Sequence, residues 1–269
     1  MKPARHGDAS RLQRFSRAES VATMIRFLRT LLLLAILAPL APVRAASSSS
    51  AKKTSTTHDA LGHRPGARGF STVILDAGHG GKDPGATSRI TGQREKNLTL
   101  DMVERVRREL SGSVRTVLTR GSDKFAELDE RVHIADRTND AVLVSIHFNS
   151  GPSGVAGPEV YYWRVDSYTL GRRIQTALSR ATENHASRGL VRRRLRLTRN
   201  PSIACVLVEC GYLSHGSEAK LIAKPEYRAR LAKAIASAIL DQRAQGDGKL
   251  GPLPKPLHEP PSKSTDKRE

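Results

Sequence analysis

The sequence predicts an α/β fold, a single domain on a mostly parallel, mixed and twisted sheet with helices on both faces. Three observations point there. Between residues 70 and 242, short apolar runs alternate with segments of helical period. Two runs, "AVLVSIHF" and "ACVLVEC", are apolar at almost every position, as strands covered on both faces are. A third, "EVYYW", follows its neighbour too closely for a helical crossover, so it is expected to run antiparallel.

The elements follow in order. "STVILD" (71–76) reads as a strand. "NLTLDMVERVRREL" (97–110) places Leu98, Met102, Val106 and Leu110 on one helical stripe. "VRTVLT" (114–119) is a strand, and "ELDERVHIADRTN" (127–139) a helix with Leu128, Val132 and Ala135 on its apolar side. "AVLVSIHF" (141–148) and "EVYYW" (159–163) are strands, followed by a helix over 167–184. "ACVLVEC" (204–210) is a buried strand. "PEYRARLAKAIASAIL" (225–240) closes the domain as a helix with proline in its first turn.

The flanks differ in composition. Residues 1–23 are an N-terminal extension. Residues 24–45 combine Arg26 and Arg29, an apolar stretch from Leu31 to Leu40, and "VRA" at the end, the pattern of a secretory signal. The apolar stretch is too short for a membrane span of about 20 residues. The expected product is an exported protein, periplasmic or extracellular, and not integral to a membrane after cleavage. Residues 46–69 are rich in Ser, Thr and Lys and read as a flexible linker. Residues 243–269, with "GPLPKPLHEPPSKSTDKRE", read as a disordered Pro-rich charged tail.

The chain has 269 residues and a formal charge of +19, of which residues 1–45 carry +6, leaving +13 beyond them. Such a surface attracts anionic envelope polymers. Export and an aromatic content of 4% argue against nucleic acid as the partner. The two cysteines, Cys205 and Cys210, share one strand. Their Cα atoms would lie about 16 Å apart at roughly 3.3 Å per residue, too far for a disulfide.

In such sheets, ligands bind beyond the carboxyl ends of the strands. Three strands end there in reactive groups: "VILDAGH" in His79, "VLVSIH" in His147 and "CVLVE" in Glu209. Burying polar groups at strand ends is costly without a purpose. Glu95 opens the first helix, where an acid also complements the helix dipole. The glycine turn "DAGHGGKDPGA" fails as a P-loop. Asp76 stands five residues before Gly81-Lys82 where glycine is required, and Asp83 follows instead of Ser or Thr. Its glycines are better suited to folding the backbone around His79. Two imidazoles and a carboxylate form a known catalytic zinc set with an open position. His79, Glu95 and His147 can supply the ligands of one Zn²⁺, leaving Glu209 as general base.

At these residues the sequence resembles the zinc-dependent N-acetylmuramoyl-L-alanine amidases of bacterial cell walls, the amidase type 3 family. The matching segments are "VILDAGHGGKDPGA", "EKNLTLDM", "VLTRGSD", "LDERVHIAD", "SIHFNS", "GPEVYYW", "SRGL" and "ACVLVECGYLSH", in family order over about residues 71–240. The resemblance implies cleavage of the amide between N-acetylmuramic acid and L-alanine of the peptidoglycan stem. It implies His79, Glu95 and His147 as zinc ligands and Glu209 as the catalytic glutamate. Asn149 matches an asparagine expected to support the site. Ala77 stands where the family often has proline, and Cys210 where a small apolar residue is common.

Some members insert an inhibitory helix after the "SIH" strand. The short segment "NSGPSGVAGPEVYYWRVDSY" predicts none here, and so no obligate activator. The competing readings are another zinc hydrolase on a similar sheet, such as a carboxypeptidase or de-N-acetylase, and a non-catalytic wall-binding protein. The last is disfavoured because all four site residues are present. His133 is expected to be structural or solvent-facing. His185 and His215 lie near loops, and His58, His63 and His258 in flanking segments. "RGLVRRRLRL" (188–197) reads as a solvated basic face.

Overall fold

The computed structural model describes residues 66–182, 186–248 and 250–255. The signal segment, most of the 46–69 segment, His58, His63, His185 and His258 lie outside them. Six strands form one sheet: β1 (Thr72–Ala77), β2 (Arg115–Leu118), β3 (Ala141–Asn149), β4 (Glu159–Tyr162), β5 (Gly189–Arg192) and β6 (Ala204–Tyr212). Their order is β2-β1-β3-β6-β4-β5. All pairs are parallel except β4 against β6, so the sheet is mixed at the predicted strand.

Among the described residues six helices complete the fold: α1 (Glu95–Leu110), α2 (Leu128–Arg137), α3 (Val165–Ala181), α4 (Arg196–Arg199), α5 (Gly216–Ala223) and α6 (Pro225–Gln245). They cover the two faces unequally. Side chains alternate along a strand, so each strand serves both faces. Val73, Val144 and Val206 point into the larger core with α1, α3 and α6. Ile74, Leu143 and Cys205 point to the other face, packing beside Ala135 of α2. Tyr161, Leu195 and Leu207 extend that thinner layer near α4. Cys205 and Cys210 are buried free thiols in separate clusters on opposite faces.

Three elements lack a strong periodic signal in the sequence. β5 forms within the basic segment 188–197, α4 begins at its end, and α5 is only eight residues long. That segment is not a uniformly solvated face, because Leu195, Arg196 and Leu197 are buried. Leu128, expected on the apolar side of its helix, is 38% exposed. The expected domain end at 242 falls inside α6, which runs to Gln245. Both flanks also pack back onto the domain. Gly66 donates to Asp247, and Gln242 and Arg243 donate to the Ala67 and Phe70 carbonyls. Arg172 and Arg192 reach the carbonyls of Leu250 and Lys255.

Candidate metal centre

The parity that buries Val144 and Val206 on the thick face puts Ser145, His147, Leu207 and Glu209 on the thin one. Parallel pairing sets His147 beside Glu209 at the carboxyl ends of β3 and β6. β1 ends one register step earlier, opposite Ile146, so the turn after it lies against His147. There Gly78 leaves room for a ring. A Cβ at Gly78 would lie 2.2 Å from the His147 Cε1.

The turn bends so that His79 itself has φ 60°, a left-handed conformation uncommon outside glycine. Such strain persists only when neighbours hold it. Two buried arginines do so. Arg131 donates to the carbonyls of Ala77 and His79, at 2.6 and 2.8 Å, and pairs with Asp76. Arg120 donates to the carbonyls of Ala77 and Gly78, at 2.9 and 2.8 Å. Asp76 is fully buried and also accepts from Thr119 and Ser145. Burial opposes its charge, but Arg131 and these hydroxyls outweigh burial and hold its carboxyl below the usual range.

Glu95 is the first residue of α1, so its helix start fixes its position. Its Oε1 lies 3.0 Å from His79 Nε2 and 3.0 Å from His147 Nδ1. Its carboxylate also accepts from the backbone N–H groups of Ala86 and Phe148. The three residues place their ligand atoms within 4.8 Å of one another. Tetrahedral zinc with ligands at about 2.1 Å needs separations of about 3.4 Å, so the set fits the ion. Burial disfavours charge on all three. Even so, the imidazoles pull Glu95 well down, and Glu95 with Asp83 lifts His79 to about 9. Glu95 likewise raises His147 against burial.

Asp83 has a role that sequence reasoning missed. His79 Nδ1–H donates to its Oδ2 at 2.8 Å, which leaves Nε2 as the free donor atom. The sequence signal was a carboxylate four residues after the histidine inside a glycine turn.

Glu209 stands beside His147 in the β3–β6 ladder. Its Oε2 is shielded from solvent and has no hydrogen-bond partner among the described residues. Burial lifts its carboxyl, His147 opposes the rise, and Glu95 adds to it, leaving it at about 7. Asn149 does not reach the ligand atoms. Its Nδ2 donates to the hydroxyls of Tyr212 and Tyr161, at 3.1 and 3.5 Å. His133 is exposed, and His215 caps α5. The four principal groups open onto a cleft of about 460 Å³, bounded by Phe125, Leu128, Tyr161 and Leu207. Leu128 therefore faces a binding cleft, which accounts for its exposure.

Comparison with known proteins identifies the family. A family described as N-acetylmuramoyl-L-alanine amidase matches residues 73–241. The chain is 32% identical to a probable N-acetylmuramoyl-L-alanine amidase AmiB of Haemophilus influenzae, over 61% of this chain and 50% of that protein. It thus spans about half the length of that relative. It is 31% identical to the germination-specific N-acetylmuramoyl-L-alanine amidase of Bacillus subtilis, over 62% of this chain and 78% of that one. Among solved structures, the amidase AmiC2 of Nostoc punctiforme is 37% identical with a TM-score of 0.61, over 65% of this chain and 97% of that one. The catalytic domain of CwlV from Paenibacillus polymyxa is 34% identical with a TM-score of 0.61, over 64% and 97%. With 169 of its residues inside that family match, the chain belongs to the N-acetylmuramoyl-L-alanine amidase family.

Proposed function

We propose that this chain is an exported zinc amidase that hydrolyses the bond between N-acetylmuramic acid and the L-alanine of the peptidoglycan stem, degrading or remodelling the wall. One observation carries the reading: three metal-ligating atoms converge within 4.8 Å, and an unpaired carboxylate stands beside them. His79, Glu95 and His147 would hold the ion, with Asp83 orienting His79. When bound, zinc supplies a Lewis acid for the amide carbonyl and lowers the pKa of water toward about 7.

The remaining work falls to Glu209. Its carboxylate takes a proton from the attacking water and returns it to the L-alanine nitrogen as the C–N bond breaks. Burial lifts Glu209 to about 7 without metal, toward the neutrality that suits both halves of that transfer.

Export is supported by the signal pattern of residues 24–45. Among the described residues no helix is long and apolar enough to cross a membrane. The positive charge favours retention on anionic envelope polymers. Residues 150–158 join β3 to β4 as a loop, so turnover without an activator is expected. The test is a pair of variants. Glu209→Ala should keep one zinc per chain and lose turnover by at least about 100-fold. His79→Ala should lose the metal. Near-normal cleavage by Glu209→Ala would overturn the assignment of the base.

A further inference from the structure

The cleft wall beside Glu209 holds a row of fixed polar groups that the chemistry above does not use. Glu159 lies directly across from Glu209 in the β4–β6 ladder and is 8% exposed. It accepts from the Tyr161 hydroxyl at 2.8 Å and from the Tyr212 hydroxyl at 3.3 Å. The Tyr161 proton is thereby committed to Glu159. Its oxygen is left to accept from Arg193 Nη1 at 3.2 Å. The Arg193 guanidinium also stacks 5.0 Å over the Tyr161 ring. An exposed arginine is thus held in one place on the cleft wall.

The charges around it give that placement meaning. Four carboxylates line the cleft: Asp83, Glu95, Glu127 and Glu209. Two arginines line it, Arg131 and Arg193. Arg131 is buried and already donates to Asp76 and to the carbonyls of Ala77, Ala126 and His79. Among the described residues, the Arg193 side chain hydrogen-bonds to Tyr161 alone, which leaves it N–H groups for a ligand.

The chemistry gives the wall a direction, and this step rests on the amidase reading. Glu209 protonates the leaving nitrogen, so the peptide half of the substrate lies on its side. Leaving Glu209, the wall runs through Leu207, paired with Tyr161, to Arg193. We propose that Arg193 receives a carboxylate of the stem peptide next to the scissile amide. The enzyme then selects stems whose second residue keeps a free carboxylate over stems with a carboxamide there. A guanidinium matches a carboxylate with two parallel charged hydrogen bonds, and a neutral amide forfeits that charge. In a cleft lined by four acids, an anionic peptide without this partner meets repulsion.

The test compares N-acetylmuramoyl-L-alanyl-D-isoglutamate with its isoglutamine counterpart, using the zinc-loaded full chain. The wild type should favour the carboxylate in kcat/KM by about tenfold or more, the range of a charged hydrogen bond. In Arg193→Gln the ratio should fall to within about threefold of unity, with Arg193→Lys between the two. A wild-type ratio near one, or an equal fall on both substrates in Arg193→Gln, would overturn the proposal. Calorimetric titration with L-alanyl-D-isoglutamate and L-alanyl-D-isoglutamine reads the same preference without turnover. A preference in binding with neither substrate cleaved would count against the amidase reading alone. No preference in binding would count against the role of Arg193.

Discussion

His79 and Asp83 are joined at 2.8 Å through the imidazole Nδ1, across a turn in which His79 sits at φ 60°. The bond fixes the tautomer that presents Nε2 to the ligand set, 3.0 Å from Glu95. A residue that would count against phosphate at this turn is therefore the partner that orients an imidazole of the candidate metal set.

Removing that partner should loosen the metal without unfolding the domain. Asp83→Ala is expected to weaken zinc affinity by about 10- to 100-fold, with Asp83→Asn intermediate. Chelator competition measures the affinity, and unchanged circular dichroism reports the fold. Affinity equal to wild type in Asp83→Ala would remove Asp83 from the site.

Gly78 makes a steric prediction. A methyl group there would lie 2.2 Å from the His147 ring, whereas at Gly216 it would meet nothing within 4 Å. Gly78→Ala should displace His147 and cut zinc content and turnover at least about tenfold. Gly216→Ala should leave both unchanged. Zinc content measured on the two purified variants decides the matter.

The Asp76–Arg131 pair predicts an acid limit. The Asp76 pKa lies below its unfolded value of 3.8. Its stabilisation is therefore fully present above about pH 4 and is lost as pH falls through the folded pKa. Arg131→Met leaves a buried carboxylate unpaired and should cost about 3–5 kcal/mol at neutral pH. The difference between wild type and variant should shrink as pH falls below about 4. Chemical denaturation across pH 2.5–7 tests the sign, and a gap that widens on acidification would contradict it.

Most of this arrangement was legible in the sequence because it depends on strand periodicity. His147 and Glu209 end almost wholly apolar runs, and the parallel register that aligns them follows from the α/β alternation. "EVYYW" was legible as antiparallel from loop length alone. Other features arise only when distant segments meet. Arg120 and Arg131 stand in a loop and on a helix, and their clamp on the His79 turn spans more than 40 residues. Glu159 reads as the polar first residue of an otherwise apolar strand, and its tie to Tyr212 needs β4 beside β6. β5 is a four-residue strand at a sheet edge ending in Arg192, where side chains stay half-buried and the apolar pattern fades.

Glu209 must be ionised to take a proton. Burial, with Glu95 against His147, places it at about 7 without metal, and a bound divalent cation lowers it further. Turnover should rise with pH and level off by about pH 7. A profile of kcat/KM against pH with its acid limb well above 7 would contradict Glu209 as the base.

The most direct measurement is mass analysis of purified peptidoglycan digested by the zinc-loaded chain alone. The account predicts intact stem peptides with a free L-alanine amino group, and glycan bearing unsubstituted lactyl carboxylates. Shortened stems still attached to muramic acid, or deacetylated sugars with their peptides in place, would contradict it.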